Sequence, residues 1–154
     1  MLEVEIRNVP PNHANLLPLI VELDLDLLER YPAEVIHRID FNEPNINQIL
    51  FAVAYYQDQP VGCGALRPYS QEITELKRFF VKLAYRKQGI AFQLLSFLEQ
   101  QAVKLGYRTI RLEAGAMQPE ALQFYQKHGY TGIDRFGEYV HCEESLCYEK
   151  HLMI

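Results

Sequence analysis

The stretch Lys77-Arg78-Phe79-Phe80-Val81-Lys82-Leu83-Ala84-Tyr85-Arg86-Lys87-Gln88-Gly89-Ile90-Ala91 carries a strand into a turn and the turn into a helix. Residues 76–98 contain no aspartate or glutamate, although the formal net charge of the chain is -5. Five of its 15 Lys and Arg residues fall between Lys77 and Lys87. A small-residue turn among cations at a helix start suits an anion. Glycine lets backbone come close to a ligand, and the first helical amides lack internal partners. The helix dipole adds to that preference, and phosphate is the natural anion for such a turn. Taken alone, the hexamer from Arg86 to Ala91 also fits an ordinary strand-to-helix loop with surface cations.

Bulk properties narrow the classes. With 154 residues the chain is expected to form one domain, spanning 1–154, with a substantial core. Hydrophobic residues make up 49% and charged residues 23%, the balance of a globular protein in water. No apolar run approaches the ~20 residues of a membrane span, and the N-terminus, Met1-Leu2-Glu3-Val4-Glu5, does not read as a signal peptide. Cys63, Cys142 and Cys147 are odd in number and lack Cys-x-x-Cys spacing, which argues against a disulfide framework or zinc. A reducing, cytoplasmic setting is expected, with no metal and no membrane partner. The acidic balance disfavours nucleic acid.

Periodicity supplies the elements. Glu3 to Val9 alternates as a strand, and Asn15 to Arg30 has helical spacing with Pro18 in the first turn. Residues 31–48 read as loop with a short helix. Ile49 to Tyr56 and Val61 to Leu66 form a hairpin about Gln57-Asp58-Gln59-Pro60, and Ile73 to Val81 follows as a third strand. Gly89 to Leu105 is a long helix stopped by Gly106. Thr109 to Ala114 is a strand, Gln118 to His128 a helix, and Tyr130 to Arg135 and Ser145 to Lys150 the last strands. Three consecutive strands followed by alternating elements predict a mixed sheet with helices on both faces.

Several segments then resemble one family. The Arg/Gln-x-x-Gly-x-Gly/Ala turn is similar to the acetyl-CoA pyrophosphate loop of the GNAT superfamily of N-acetyltransferases. The Gly106-Tyr107 stop, Ile110-Arg111-Leu112-Glu113, and Ala121-Leu122-Gln123-Phe124-Tyr125-Gln126-Lys127-His128-Gly129-Tyr130 resemble the same core. Gly62 to Arg67, Glu75 to Val81, Ser145 to Lys150 and Tyr31 to His37 resemble its small, stand-alone bacterial-type branch. The resemblance implies an α/β (mixed α+β) GNAT-like fold, with a mostly antiparallel sheet of about seven strands. It implies acetyl transfer from acetyl-CoA to a small-molecule or peptide amine. Ala91 replaces the commoner glycine and narrows the pyrophosphate site, and Gln118 stands where many members have asparagine.

The resemblance also assigns roles. Arg86, Lys87, Gln88, Gly89, Ile90 and Ala91 would hold the pyrophosphate, with Lys82 and Lys87 either reaching phosphates or solvated. Backbone at Val81 would meet the acetyl carbonyl, that of Leu83 the pantetheine, and Gln118 would lie on the same side. Glu75, eleven residues before Arg86, matches a glutamate base of the histone-acetylating branch; otherwise it is a strand-edge carboxylate paired with Arg78 or Lys77. Alternation puts Glu75, Lys77, Phe79 and Val81 on one face. Tyr125 would protonate the departing thiolate, or else pack as an inner-face aromatic. Glu34, His37 and Tyr139 are candidates for the acceptor side, Glu113 is expected to pair with a neighbouring cation, and His128 suits a helix end as a cation. The competing function is a catalytically silent acyl-CoA-binding sensor. The family leaves a homodimer open.

Overall fold

The computed structural model describes residues 1–153. Its strands are β1 (Glu5–Val9), β2 (Leu50–Tyr56), β3 (Gln59–Pro68), β4 (Ile73–Val81), β5 (Thr109–Gly115), β6 (Thr131–Ile133) and β7 (Ser145–His151). Its helices are α1 (Leu16–Leu28), α2 (Ile90–Lys104) and α3 (Pro119–Lys127), with short 3₁₀ turns between. The seven strands form one sheet in the order β1-β2-β3-β4-β5-β7-β6. β4 and β5 are parallel and all other neighbours are antiparallel. That is the mixed, mostly antiparallel sheet expected from the element order.

Local chemistry explains the main joints. Gln57 and Asp58 both have positive φ, 49° and 64°, so the β2–β3 loop is two residues long. Such a turn matches strand twist, and Gln59 and Pro60 belong to β3 rather than to the loop. At the end of α2 the Tyr107 amide donates to the Ala102 carbonyl at 3.0 Å and that of Gly106 to Val103 at 3.0 Å. Gly106, at φ 91°, supplies the left-handed residue this cap requires.

The sheet separates two apolar layers. Leu16, Leu19, Ile20 and Leu23 of α1 pack with Phe51, Val53, Cys63, Ala65 and Phe80 on one face. Ile90, Leu94, Leu95, Leu98 and Ala102 of α2 pack with Ala52, Leu76, Ile110 and Leu112 on the other. Leu98 is fully buried and sits where a Cβ on Gly64 would meet its Cδ1 at 2.8 Å. Leu98→Ala should therefore cost about 2–5 kcal/mol of stability, readable as a lowered urea midpoint with an unchanged slope.

Two departures from simple alternation bear on the site. The first strand begins at Glu5, because residues 2–4 are held by α2 instead. The Gln93 side chain accepts from the Val4 amide at 3.2 Å and donates to the Leu2 carbonyl at 2.6 Å. The second lies in β4, where Cys63 pairs with Phe80 and Ala65 with Lys77. One more residue stands on β4 than on β3 between those pairs, and Arg78 has φ 53°. This bulge shifts the phase of the strand. Glu75, Lys77, Arg78 and Phe80 lie toward α1, while Leu76, Phe79 and Val81 lie toward α2 and α3. The single face expected for Glu75, Lys77, Phe79 and Val81 is corrected accordingly.

Candidate active site

β4 and β5 pair only from Ile73↔Thr109 to Leu76↔Leu112. Beyond that point each continues without the other, leaving backbone groups on the facing edges free for a ligand. A cleft of about 1000 Å³ occupies the gap and reaches both faces of the sheet.

The cleft is headed by the start of α2. Lys87 and Gly89 have positive φ, 63° and 85°, and Gln88 between them does not. Alternation of this kind turns successive amides toward one side, where an anion can sit. Gln93 is the first residue of the helix whose amide returns to the loop, donating to the Gly89 carbonyl at 3.2 Å. The preceding first-turn amides are left without helical partners. Gly89 suits this place because its backbone is left-handed, a conformation that L side chains rarely adopt. The Gln88 carbonyl instead accepts from Leu2 at 2.9 Å, which ties the outer side of the loop to the N-terminal segment.

Arg86 points elsewhere than a phosphate. Its Nε donates to the Val81 carbonyl at 2.8 Å, its guanidinium lies 5.4 Å from the Phe80 ring centroid, and Asp26 is 3.9 Å away. It fixes the end of β4 at the place where the cleft begins. Lys82 pairs with Glu22 at 3.6 Å outside the cleft, whereas Lys87 lines it. Gln118 lines the opposite wall, and its Oε1 accepts from the Gly115 amide at 3.2 Å.

On the α1 face the site holds a dense polar group. Tyr139 and Glu75 are both buried, and the Tyr139 hydroxyl donates to the Glu75 carboxylate. Lys77 Nζ donates to Tyr139 Oη at 3.1 Å and to Glu138 at 3.3 Å, and lies 3.9 Å from Glu75. Burial pushes the Glu75 carboxyl above its ordinary range, and Lys77 and the Tyr139 hydroxyl only partly offset that. Tyr139 faces the cleft and Glu75 stands behind it. His37 meets Tyr139 edge-on at 4.7 Å and shares Glu138 with Lys77 at 3.2 Å. Arg78 pairs with Asp24. Buried charges persist only when paired, and residues from α1, β4 and the β6–β7 loop supply the counterions, while Arg78 Nε and His37 Nε2 are left without a hydrogen bond among the described residues.

On the α3 face stands Tyr125, buried beside Phe79, Phe124 and Tyr130. It lines the cleft, and among the described residues its hydroxyl makes no hydrogen bond. Burial raises its pKa, and the Glu113 carboxylate raises it further, so the phenol keeps its proton.

Residues 18–130 match the Acetyltransferase (GNAT) family. The chain belongs to this family. It is 34% identical over 153 residues to IAA acetyltransferase of Azospirillum brasilense, covering 99% of this chain and 100% of that one. It is 28% identical over 123 residues to the N-acetyltransferase YsnE of Bacillus subtilis, covering 79% and 82% respectively. In structure it resembles an acyl-CoA N-acyltransferase from Klebsiella pneumoniae, with a TM-score of 0.82 and 26% identity over 97% of this chain and 98% of that one. A GNAT acetyltransferase from Elizabethkingia anophelis, solved with acetyl-CoA bound, shares the fold with a TM-score of 0.72 and 20% identity over 97% and 98%. This GNAT chain is an acetyl-CoA-dependent N-acetyltransferase.

Within the GNAT fold, Val81, Leu83, Arg86, Lys87, Gly89, Ile90, Ala91 and Gln118 line the cleft together with Tyr125, His37 and Tyr139. The side chains of Gln88, Glu34 and Glu75 do not. Glu34 is exposed in the turn Ala33–Val35. Glu113, expected to pair with a cation, bonds the Ser145 hydroxyl at 2.6 Å and lines the cleft. His128 is packed on Phe92 and Phe124, and burial pushes its pKa down, which removes the cation expected at that helix end. Tyr31, whose hydroxyl accepts from the Met117 amide at 2.9 Å, closes one side of the cleft. No periodicity marks it, since its partner lies 86 positions away.

Proposed function

We propose that this GNAT chain moves the acetyl group of acetyl-CoA to a primary amine by direct attack on the thioester. The observation that carries this reading is the parting of β4 and β5, which opens one cleft to Tyr125 on one face and to Tyr139 on the other. The amides from Lys87 to Ala91 would hold the pyrophosphate, with the Lys87 side chain beside them. Backbone at Val81 would receive the acetyl carbonyl, and Leu83 and Gln118 would flank the pantetheine.

The amine nitrogen forms the new C–N bond, the C–S bond breaks, and the leaving sulfur takes the proton of Tyr125. A neutral phenol in an apolar pocket is in the right state to give that proton. A lysine-like amine must first lose its own proton, which costs about 4–5 kcal/mol at neutral pH. Glu75 is the base in this reading, and Tyr139 connects it to the cleft. A proton passes to Tyr139 Oη as the Tyr139 proton passes to Glu75. Lys77 opposes the burial that raises the Glu75 pKa and so favours its ionised form.

The test is release of free CoA thiol from acetyl-CoA across a panel of amines, with mass spectrometry of the product. Amine-dependent release with a matching acetylated amine supports the reading. Acetyl-CoA binding with no amine-dependent release from any member would overturn it.

A further inference from the structure

On the acceptor side of the cleft one carboxylate stands half-buried without a cation, unlike Glu144, which is exposed at its rim. On the acceptor-side wall Lys77 has Glu138 at 3.3 Å, Arg78 has Asp24, and Arg30 has Glu120. Glu113 has none. Among the described residues no Lys, Arg or His nitrogen comes within 4.0 Å of its carboxylate, and its hydrogen bond is to a neutral hydroxyl, that of Ser145. Glu113 projects from β5 beyond the last pair with β4, on the face that carries Glu75 and Lys77. It is partly buried and lines the cleft. His37 and Lys77 draw its pKa down from a distance, but burial outweighs them and the carboxyl stays above its ordinary range. A half-buried carboxylate with no counterion is costly unless a ligand supplies one.

The surroundings restrict that ligand further. Leu23 and Leu27 of α1, with Val35 and Ile36 after it, line the same end of the cleft. An apolar wall beside a half-buried carboxylate without a counterion fits a monocation with an apolar body. It does not fit an amino acid, whose α-carboxylate would lie within a few ångströms of its ammonium. That second anion would sit close to Glu113, and Lys77 and Arg78 nearby are already engaged by Glu138 and Asp24. A polyamine would bring a second cation into the Leu and Ile wall.

We propose that Glu113 is the ammonium subsite of the acetyl acceptor, and that the acceptor is a primary alkyl- or arylalkylamine without a carboxylate. This rests on the acetyl-transfer reading above and names its substrate class. Glu113 binds the ammonium, while the Tyr139–Glu75 pair removes its proton.

The experiment compares 2-phenylethylamine, L-phenylalanine and spermidine as acceptors for the wild type, Glu113→Gln and Glu113→Asp. The wild type should favour 2-phenylethylamine over both others in kcat/KM by about tenfold or more. Glu113→Gln should raise the KM for 2-phenylethylamine by about ten- to a hundredfold, the loss expected for a charged hydrogen bond. Its KM for acetyl-CoA and its thermal stabilisation by acetyl-CoA should stay near the wild-type values, and Glu113→Asp should recover part of the loss. Preference for phenylalanine or spermidine overturns the proposal. So does an unchanged amine KM in Glu113→Gln, or a KM for acetyl-CoA that rises in parallel. If the wild type releases CoA with 2-phenylethylamine and Glu113→Gln matches it, the subsite fails while acetyl transfer stands. If no amine of any class supports release, both fall together.

Discussion

Tyr125→Phe will lower kcat by about ten- to a thousandfold while leaving the KM for acetyl-CoA nearly unchanged. The substitution removes one oxygen from a ring whose packing against Phe79, Phe124 and Tyr130 is otherwise kept. That hydroxyl makes no hydrogen bond within the described residues, so its loss breaks nothing structural. Stability should hold, since the hydroxyl faces the cleft and has no protein partner to lose. The effect should also depend on the leaving group. A thioester with a more acidic thiol needs less protonation, so the gap between variant and wild type should narrow with such a donor. Steady-state rates with acetyl-CoA and an activated acetyl thioester check this directly. Equal kcat in the two proteins, with chemistry shown to limit the rate, removes Tyr125 from the acid role.

The second large effect is expected from Glu75→Gln, a loss of about a hundredfold or more in kcat/KM at neutral pH, as removal of a base usually gives. Its pH profile separates this from a merely structural lesion. Burial raises the Glu75 pKa above its ordinary 4.5, so the wild-type rate should climb as pH rises through that raised value and the carboxylate ionises. The Gln variant should lack this acid limb and keep only the rise set by the amine itself, near pH 10 for a lysine-like acceptor. Stability carries the opposite sign. Between 4.5 and the raised native pKa the folded protein binds more protons than the unfolded chain, so Glu75 makes stability fall as pH rises across that window. Glu75→Gln should flatten that decline in the melting temperature. Tyr139→Phe should reproduce the kinetic loss if the hydroxyl connects Glu75 to the cleft. Retained activity with Phe at 139 and loss with Gln at 75 would mean that Glu75 is reached another way.

Legibility in the sequence divides along physical lines. Helix and strand periodicities are local, so α2, the β2–β3 hairpin and the order of elements were legible from apolar spacing alone. The turn from Arg86 to Ala91 was legible because glycine and cations stand next to a helical pattern. The gap between β4 and β5 was not, because pairing of parallel strands depends on residues about 36 positions apart. Tyr139 is legible only as an acceptor-side candidate, since its bond to Glu75 spans 64 positions. The bulge had a signal that alternation overlooked. After Glu75-Leu76-Lys77, the run Arg78-Phe79-Phe80-Val81 places three apolar residues in a row. Regular alternation would send adjacent Lys77 and Arg78 to opposite faces, and the extra residue lets both cations face the α1 side. Glu113 was misread for a different reason, because the lack of a counterion is a property of the assembled cleft and no local pattern encodes it.

A β-sheet normally keeps its two sides apart, but the parting of β4 and β5 makes this one permeable at a single point. In the proposed acetyl-transfer reading each substrate would have its own port, the turn at the head of α2 for the thioester and the segments after α1 and between β6 and β7 for the nucleophile. On that reading, drift in either of those segments would exchange one amine for another without disturbing how the donor is held, and donor affinity and acceptor choice would be separately adjustable traits of one scaffold.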